Sequence, residues 1–125
     1  MSGVTLDAGP LIALDRNDRT VIALLSVAKR SSSPVVVPAT VLAQAIRDPA
    51  RQARLMRLLR QPRTVLAQLD RTDATSVGVL LAASGTSDIA DAHVVVCARR
   101  AGQPIVTSDP DDLAALDPSA TLIPV

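Results

Sequence analysis

Residues 87–116 read SDIADAHVVVCARRAGQPIVTSDPDDLAAL. Asp88 is a residue type that caps helices, and the apolar run behind it ends at Gly102, glycine being favoured just past a helix C-terminus. Residues 104–106 then form a short β-rich strand. Asp109-Pro110 opens another helix that runs through Leu116, with proline suited to a first helical turn. Helix, strand and helix follow one another with no hairpin between them. That order predicts parallel strands connected by helices.

The rest of the chain repeats this grammar. Residues 4–6 form a short strand that breaks at Asp7, and Gly9-Pro10 leads into a helical segment at 11–14. Asp18 caps a second helix through Lys29. Val35-Val36-Val37 is continuous and β-branched, as buried strands are. Pro38 starts a third helix that runs to about Arg47. Asp48-Pro49 is a break and a new cap, followed by a fourth helix at 50–60. A strand at 64–69 and a fifth helix at 73–84, closed by Gly85, lead back to the opening stretch. Residues 121–123 form the last strand. The expectation is a single domain over residues 1–125: an α/β three-layer sandwich with a short parallel sheet flanked by helices.

The chain has 125 residues, and 48% of them are hydrophobic. It has no Phe, Trp or Tyr, so the core must be aliphatic. Nucleic acid cannot be held here by stacking bases on aromatic rings. Net charge is +1 at pH 7, which excludes a global field for polyanions. The charge is nevertheless segregated. Arg47, Arg51, Arg54, Arg57, Arg60 and Arg63 fall in one stretch with a single acid, Asp48, while residues 88–117 carry six aspartates. The arginine run reads either as a solvated helix face or as a surface for RNA phosphates. The one cysteine, Cys97, excludes an internal disulfide and reads as core. The N-terminus lacks the pattern of a signal peptide and no apolar run is long enough to span a membrane, so a cytoplasmic protein without membrane contact is expected.

In open parallel sheets, ligands bind beyond the carboxyl ends of the strands. Asp7 and Asp109 fall at such ends, and Asp88 and Asp91 lie at the start of the helix that leads into the second of these strands. Each has a structural reading as a cap or turn residue. Together they would repel, and a divalent cation relieves that repulsion. All-oxygen ligands suit Mg²⁺ or Mn²⁺, and such an ion assists phosphodiester hydrolysis. His93, the only histidine, sits on an apolar helix and reads as packed rather than catalytic. There is no P-loop and no Ser/His/Asp signature.

Three segments resemble the PIN-domain proteins, above all the ribonuclease toxins of VapBC toxin–antitoxin pairs: TLDAGPLIALDR at 5–16, VPATVLAQAIRD at 37–48, and the opening stretch at 87–116. They span nearly the whole chain in the family's order. The resemblance implies a metal-dependent endoribonuclease with Mg²⁺ or Mn²⁺, an RNA substrate, a cognate antitoxin and a homodimer. It matches Asp7 to the family's first acidic residue, Asp91 to the third and Asp109 to the fourth. Thr107 or Ser108 becomes a nearby hydroxyl, Asp112 an outer carboxylate, and Asp88 an additional acid at the metal. Arg47, Arg51 and Arg54 are the expected RNA contacts. The family's second acid, usually Glu, is replaced by Gln44, which supplies neither charge nor a base. That departure supports the alternative of a catalytically weak PIN domain that binds RNA or a protein. A phospho-acceptor receiver domain shares acids at strand ends but needs a lysine late in the chain, and the only lysine is Lys29.

Overall fold

In the computed structural model, residues 3–125 are described. Five strands, β1 (Val4–Leu6), β2 (Val35–Pro38), β3 (Thr64–Ala67), β4 (Ile105–Thr107) and β5 (Leu122–Pro124), form one sheet in the order β3-β2-β1-β4-β5. Every pairing is parallel. Among the described residues, seven α-helices flank it: α1 (Ala8–Asp15), α2 (Arg19–Arg30), α3 (Ala39–Ala45), α4 (Ala53–Leu59), α5 (Arg71–Ser84), α6 (Ile89–Ala101) and α7 (Pro110–Leu116). This is the expected three-layer α/β architecture.

The strands are short and the middle ones are wholly buried. Leu6, Val37, Ile105 and Val106 are essentially out of water. They join Leu11, Val41, Leu55, Val94, Val95 and Leu113 in one aliphatic core. Branched aliphatics pack densely without rings. Edge strand β3 differs, because Val65 and Leu66 are exposed. Among the described residues, no single helix is long and apolar enough to cross a membrane.

Local hydrogen bonding moves several expected boundaries. α1 begins at Ala8 rather than at residue 11, because the Asp7 carboxylate caps it by accepting from Ala8 N at 2.8 Å. α5 begins at Arg71 rather than at residue 73, since Asp70 caps it and accepts from Asp73 N. α3 stops at Ala45, short of Arg47, where Ile46 turns extended. The fourth helix expected at 50–60 is interrupted. Pro49–Arg51 is a single 3-10 turn, and Gln52 separates it from α4. The Gln52 amide closes this corner, accepting from Arg47 N and Asp48 N and donating to Ala45 O. β3 ends at Ala67 rather than Leu69, and β4 and β5 lie one residue later than expected.

The sheet ladder continues past β1, where Asp7 N donates to Val106 O at 3.0 Å. The first turn of α1 thereby meets the loop after β4. Gly9 permits the approach: a Cβ there would lie 2.1 Å from Ser108 Oγ and 2.7 Å from Ser108 Cβ. Gly9→Ala is therefore expected to push this loop away from α1. Overpacking of this kind costs about 1–3 kcal/mol, readable in urea denaturation. A variant as stable as wild type would show that the contact yields freely.

Candidate active site

The carboxyl ends of β1 and β4 each deliver an aspartate. Asp7 is only 4% exposed. Its Oδ1 accepts from Ala8 N, and its Oδ2 accepts from Thr107 Oγ1 at 2.8 Å. The same Thr107 oxygen accepts from Asp109 N at 2.9 Å. One buried hydroxyl thus orients the first carboxylate and fixes the backbone of the second. Thr107 rather than Ser108 is that hydroxyl, and Ser108 is exposed. Asp109 precedes Pro110 as a helix cap would, yet its side chain makes no capping bond. Its carboxylate is free and exposed at the strand end.

The N-terminus of α6 brings two more acids. Asp88 caps the helix, accepting from Asp91 N at 2.9 Å. Asp91, in the first turn, is partly buried. Its carboxyl is pushed up to about 7, first by burial and then by the charges of Asp88, Asp7, Asp112 and Asp109. Asp7 is also raised. Burial is the main cause, the bonds from Ala8 and Thr107 oppose it, and Asp109 and Asp88 add repulsion. The five acids therefore share one electrostatic neighbourhood with no cation of the protein among these causes. All their donors are hard oxygens, a set that fits Mg²⁺ or Mn²⁺.

Other residues singled out in the sequence lie differently. Gln44 is exposed on α3, one helical turn beyond Thr40. Arg47 Nη1 donates to Ala43 O and Ile46 O just past the end of α3. Arg51 is 87% exposed, with Asp48 Oδ2 at 3.5 Å. Arg54, Arg57 and Arg63 edge an apolar groove of about 690 Å³, floored by residues such as Leu25 and Leu58 and reaching Val35 and Thr64. Those two residues begin β2 and β3, so the groove opens at the end of the sheet opposite the carboxylates.

A second polar cluster was not foreseen as one. Asp73, on α5, is buried. It accepts from Arg100 through both oxygens, and its Oδ2 accepts from His93 Nε2 at 3.0 Å. His93 Nδ1 is 2.8 Å from Thr40 Oγ1. The Arg100 bond, opposed by burial and helped by His93, lowers the Asp73 carboxyl below its ordinary range. Cys97 adjoins this cluster, its donor atom within 4.8 Å of those of Asp73 and His93. Burial raises its thiol to about 11, and Arg100 Nη2 is 3.7 Å from its sulfur. The Arg100 guanidinium thus already supplies the cation here. The sequence signal was a spacing: Asp73, Val77 and Leu80 make one buried row, and His93 and Cys97 make another.

The model of the PIN domain family matches residues 4–117. The chain belongs to this family. Solved structures with the same architecture include VapBC2 from Rickettsia felis bound to a DNA fragment from its promoter. That structure has a TM-score of 0.68 at 14% identity, covering 98% of both chains. FitAcB from Neisseria gonorrhoeae aligns with a TM-score of 0.62 at 16% identity, covering 96% of both. FitAB bound to an IR36 DNA fragment aligns with 0.66 at 14% identity, over 97% of this chain and 94% of the other. No curated protein sequence matches significantly.

The raised carboxyls of this PIN domain set its pH response. Asp7 and Asp91 bind protons more tightly folded than unfolded, so metal-free stability falls as pH rises above their ordinary 3.8, in the case of Asp91 up to about 7. Asp73 and Asp117 are lowered, so the stability they contribute is present above 3.8 and lost as pH falls through their folded values. Thermal melts in EDTA should show a mildly acidic optimum. Asp91→Asn should flatten the decline toward neutral pH while leaving the acid limb in place. An unaltered neutral limb in that variant would mean that Asp91 carries no such penalty.

Proposed function

We propose that this PIN domain is a metal-dependent endoribonuclease and the toxin of a toxin–antitoxin pair. The observation that carries the reading is the cluster of carboxylates at the sheet's carboxyl end, with Asp91 protonated more easily than an ordinary acid, first because it is partly buried and then because its neighbours are acids. Asp7, Asp91, Asp109 and Asp88 are the residues assigned to hold Mg²⁺ or Mn²⁺. When bound, the ion supplies Lewis-acid activation of water and neutralises charge developing on the phosphate. Asp7 contributes a carboxylate of fixed orientation, since Ala8 N donates to one of its oxygens and Thr107 Oγ1 to the other. Asp109 offers an uncapped, solvent-facing carboxylate, and Asp112 stands behind it in the first turn of α7.

RNA contact is assigned to Arg47 and Arg51 on the exposed corner after α3, with phosphates rather than bases as their targets. Arg54, Arg57 and Arg63 border an apolar groove away from the acids. They are assigned to a partner, an antitoxin segment that combines apolar and acidic side chains. The occurrence of partnered, DNA-bound assemblies among proteins of this architecture supports that role. The test is RNA cleavage with Mn²⁺ and with EDTA. Wild type should cut only with metal, and Asp7→Asn and Asp91→Asn should fold and lose cleavage by at least the roughly hundredfold typical of a lost catalytic group. Cleavage at wild-type rates by both variants would sink the assignment.

Gln44 favours a second reading, a PIN domain that binds RNA or protein with little turnover. A carboxylate is a stronger hard-cation ligand than an amide. Gln44→Glu should be less stable than wild type in EDTA, bind Mn²⁺ more tightly by titration calorimetry, and cut RNA faster if the amide limits turnover. Equal Mn²⁺ affinity in both proteins would place residue 44 outside the site.

A further inference from the structure

Three helices that share no strand are joined by one buried chain of hydrogen bonds. It starts at Thr40 on α3, passes through both ring nitrogens of His93 on α6, reaches the Asp73 carboxylate on α5, and ends at Arg100 on α6. His93 and Asp73 are shielded from water, while the Arg100 side chain is 55% exposed. A carboxylate only accepts, so His93 Nε2–H donates to Asp73. On the other side of the ring, Nδ1 pairs with the Thr40 hydroxyl. Leaving the buried atoms of His93 or Asp73 unpaired is costly, so the chain favours one arrangement of the helices. Aliphatic contacts alone are non-directional and tolerate small slides.

The Thr40–His93 bond ties α3 to the helix whose first turn carries Asp91. Thr40 and Gln44 are four residues apart on α3, hence on one face. His93 follows Asp91 by two residues on a continuous helix. The bond between them therefore fixes the first turn of α6 against the face of α3 that carries Gln44. We propose that the Thr40–His93–Asp73–Arg100 chain is a positioning device for Asp91, with His93 as the residue through which α3 and α5 hold that carboxylate beside Asp7. Its catalytic consequence rests on the nuclease reading; its structural content does not. A transition metal on Asp73, His93 and Cys97 is a poorer account, because Arg100 already occupies both Asp73 oxygens.

Thr40→Val keeps the side chain's shape and removes the hydroxyl, and Thr40→Ser restores it. Amide shifts and hydrogen exchange by NMR in the metal-free protein give the first arm. Thr40→Val should perturb Asp7 and residues 88–92 as well as its own surroundings, and Thr40→Ser should return them to wild-type values. Should Thr40→Val fail to fold, Arg100→Gln loosens the same chain from its half-exposed end and is read in the same way. Perturbation confined to the neighbours of the substituted residue, with Asp7 and Asp91 unmoved, overturns the proposal whether or not the protein cuts RNA. The second arm is cleavage with Mn²⁺. Thr40→Val should lower kcat several-fold with little change in KM, and Thr40→Ser should recover it. A Thr40→Val protein that melts lower yet keeps wild-type kcat would make the chain a source of stability alone, also overturning it. A wild type that never cuts RNA would instead sink the nuclease reading, and the NMR arm would still decide whether Asp91 is positioned.

Discussion

The structure turns on placing a carboxylate almost out of water at the end of a buried strand. Asp7 cannot retreat: its amide is tied to Val106 and one oxygen to Thr107. Burial raises its carboxyl, and Asp109 and Asp88 raise it further. A fold optimised only for stability would place a cation or an apolar residue there, since uncompensated buried charge is among the most expensive features a domain carries. The short parallel sheet, the close approach at Gly9 and the cap at Asp88 all act to bring acids to this one place. Carboxyls perturbed in this way cluster at functional sites.

Much of the scaffold was legible because its punctuation is strong. Asp18, Asp88, Gly85 and Gly102 cap helices where their chemistry says they should. The β-branched Val35–Val37 run is a buried strand, as read. What escaped were tertiary choices among equivalent local signals. Asp70 and Asp73 are both good caps for α5, and only packing decided that Asp70 caps while Asp73 turns inward. Gln52 gave no sign that its amide would satisfy three backbone groups and split a helix in two. The Asp7–Asp109 pairing was readable from strand-end placement. That Thr107, and not Ser108, ties the two together depends on which way β4 faces, and strand alternation in a three-residue strand cannot fix that in advance.

Aspartate is the chain's sole acid, so residue type alone cannot sort structural carboxylates from functional ones. Environment can. Asp73 and Asp117 are both buried, and each meets an arginine: Arg100 for the first, Arg99 at 2.9 Å for the second. Their carboxyls are lowered, as expected of charges that the fold has paired. Asp7 and Asp91 are buried or half-buried among other acids and are raised. The same side chain therefore serves opposite ends within one small domain. Where a guanidinium was supplied, the acid locks helices together. Where none was supplied, the carboxyls hold protons more readily, and the oxygen donors gathered there are of the hard kind that suits a divalent cation.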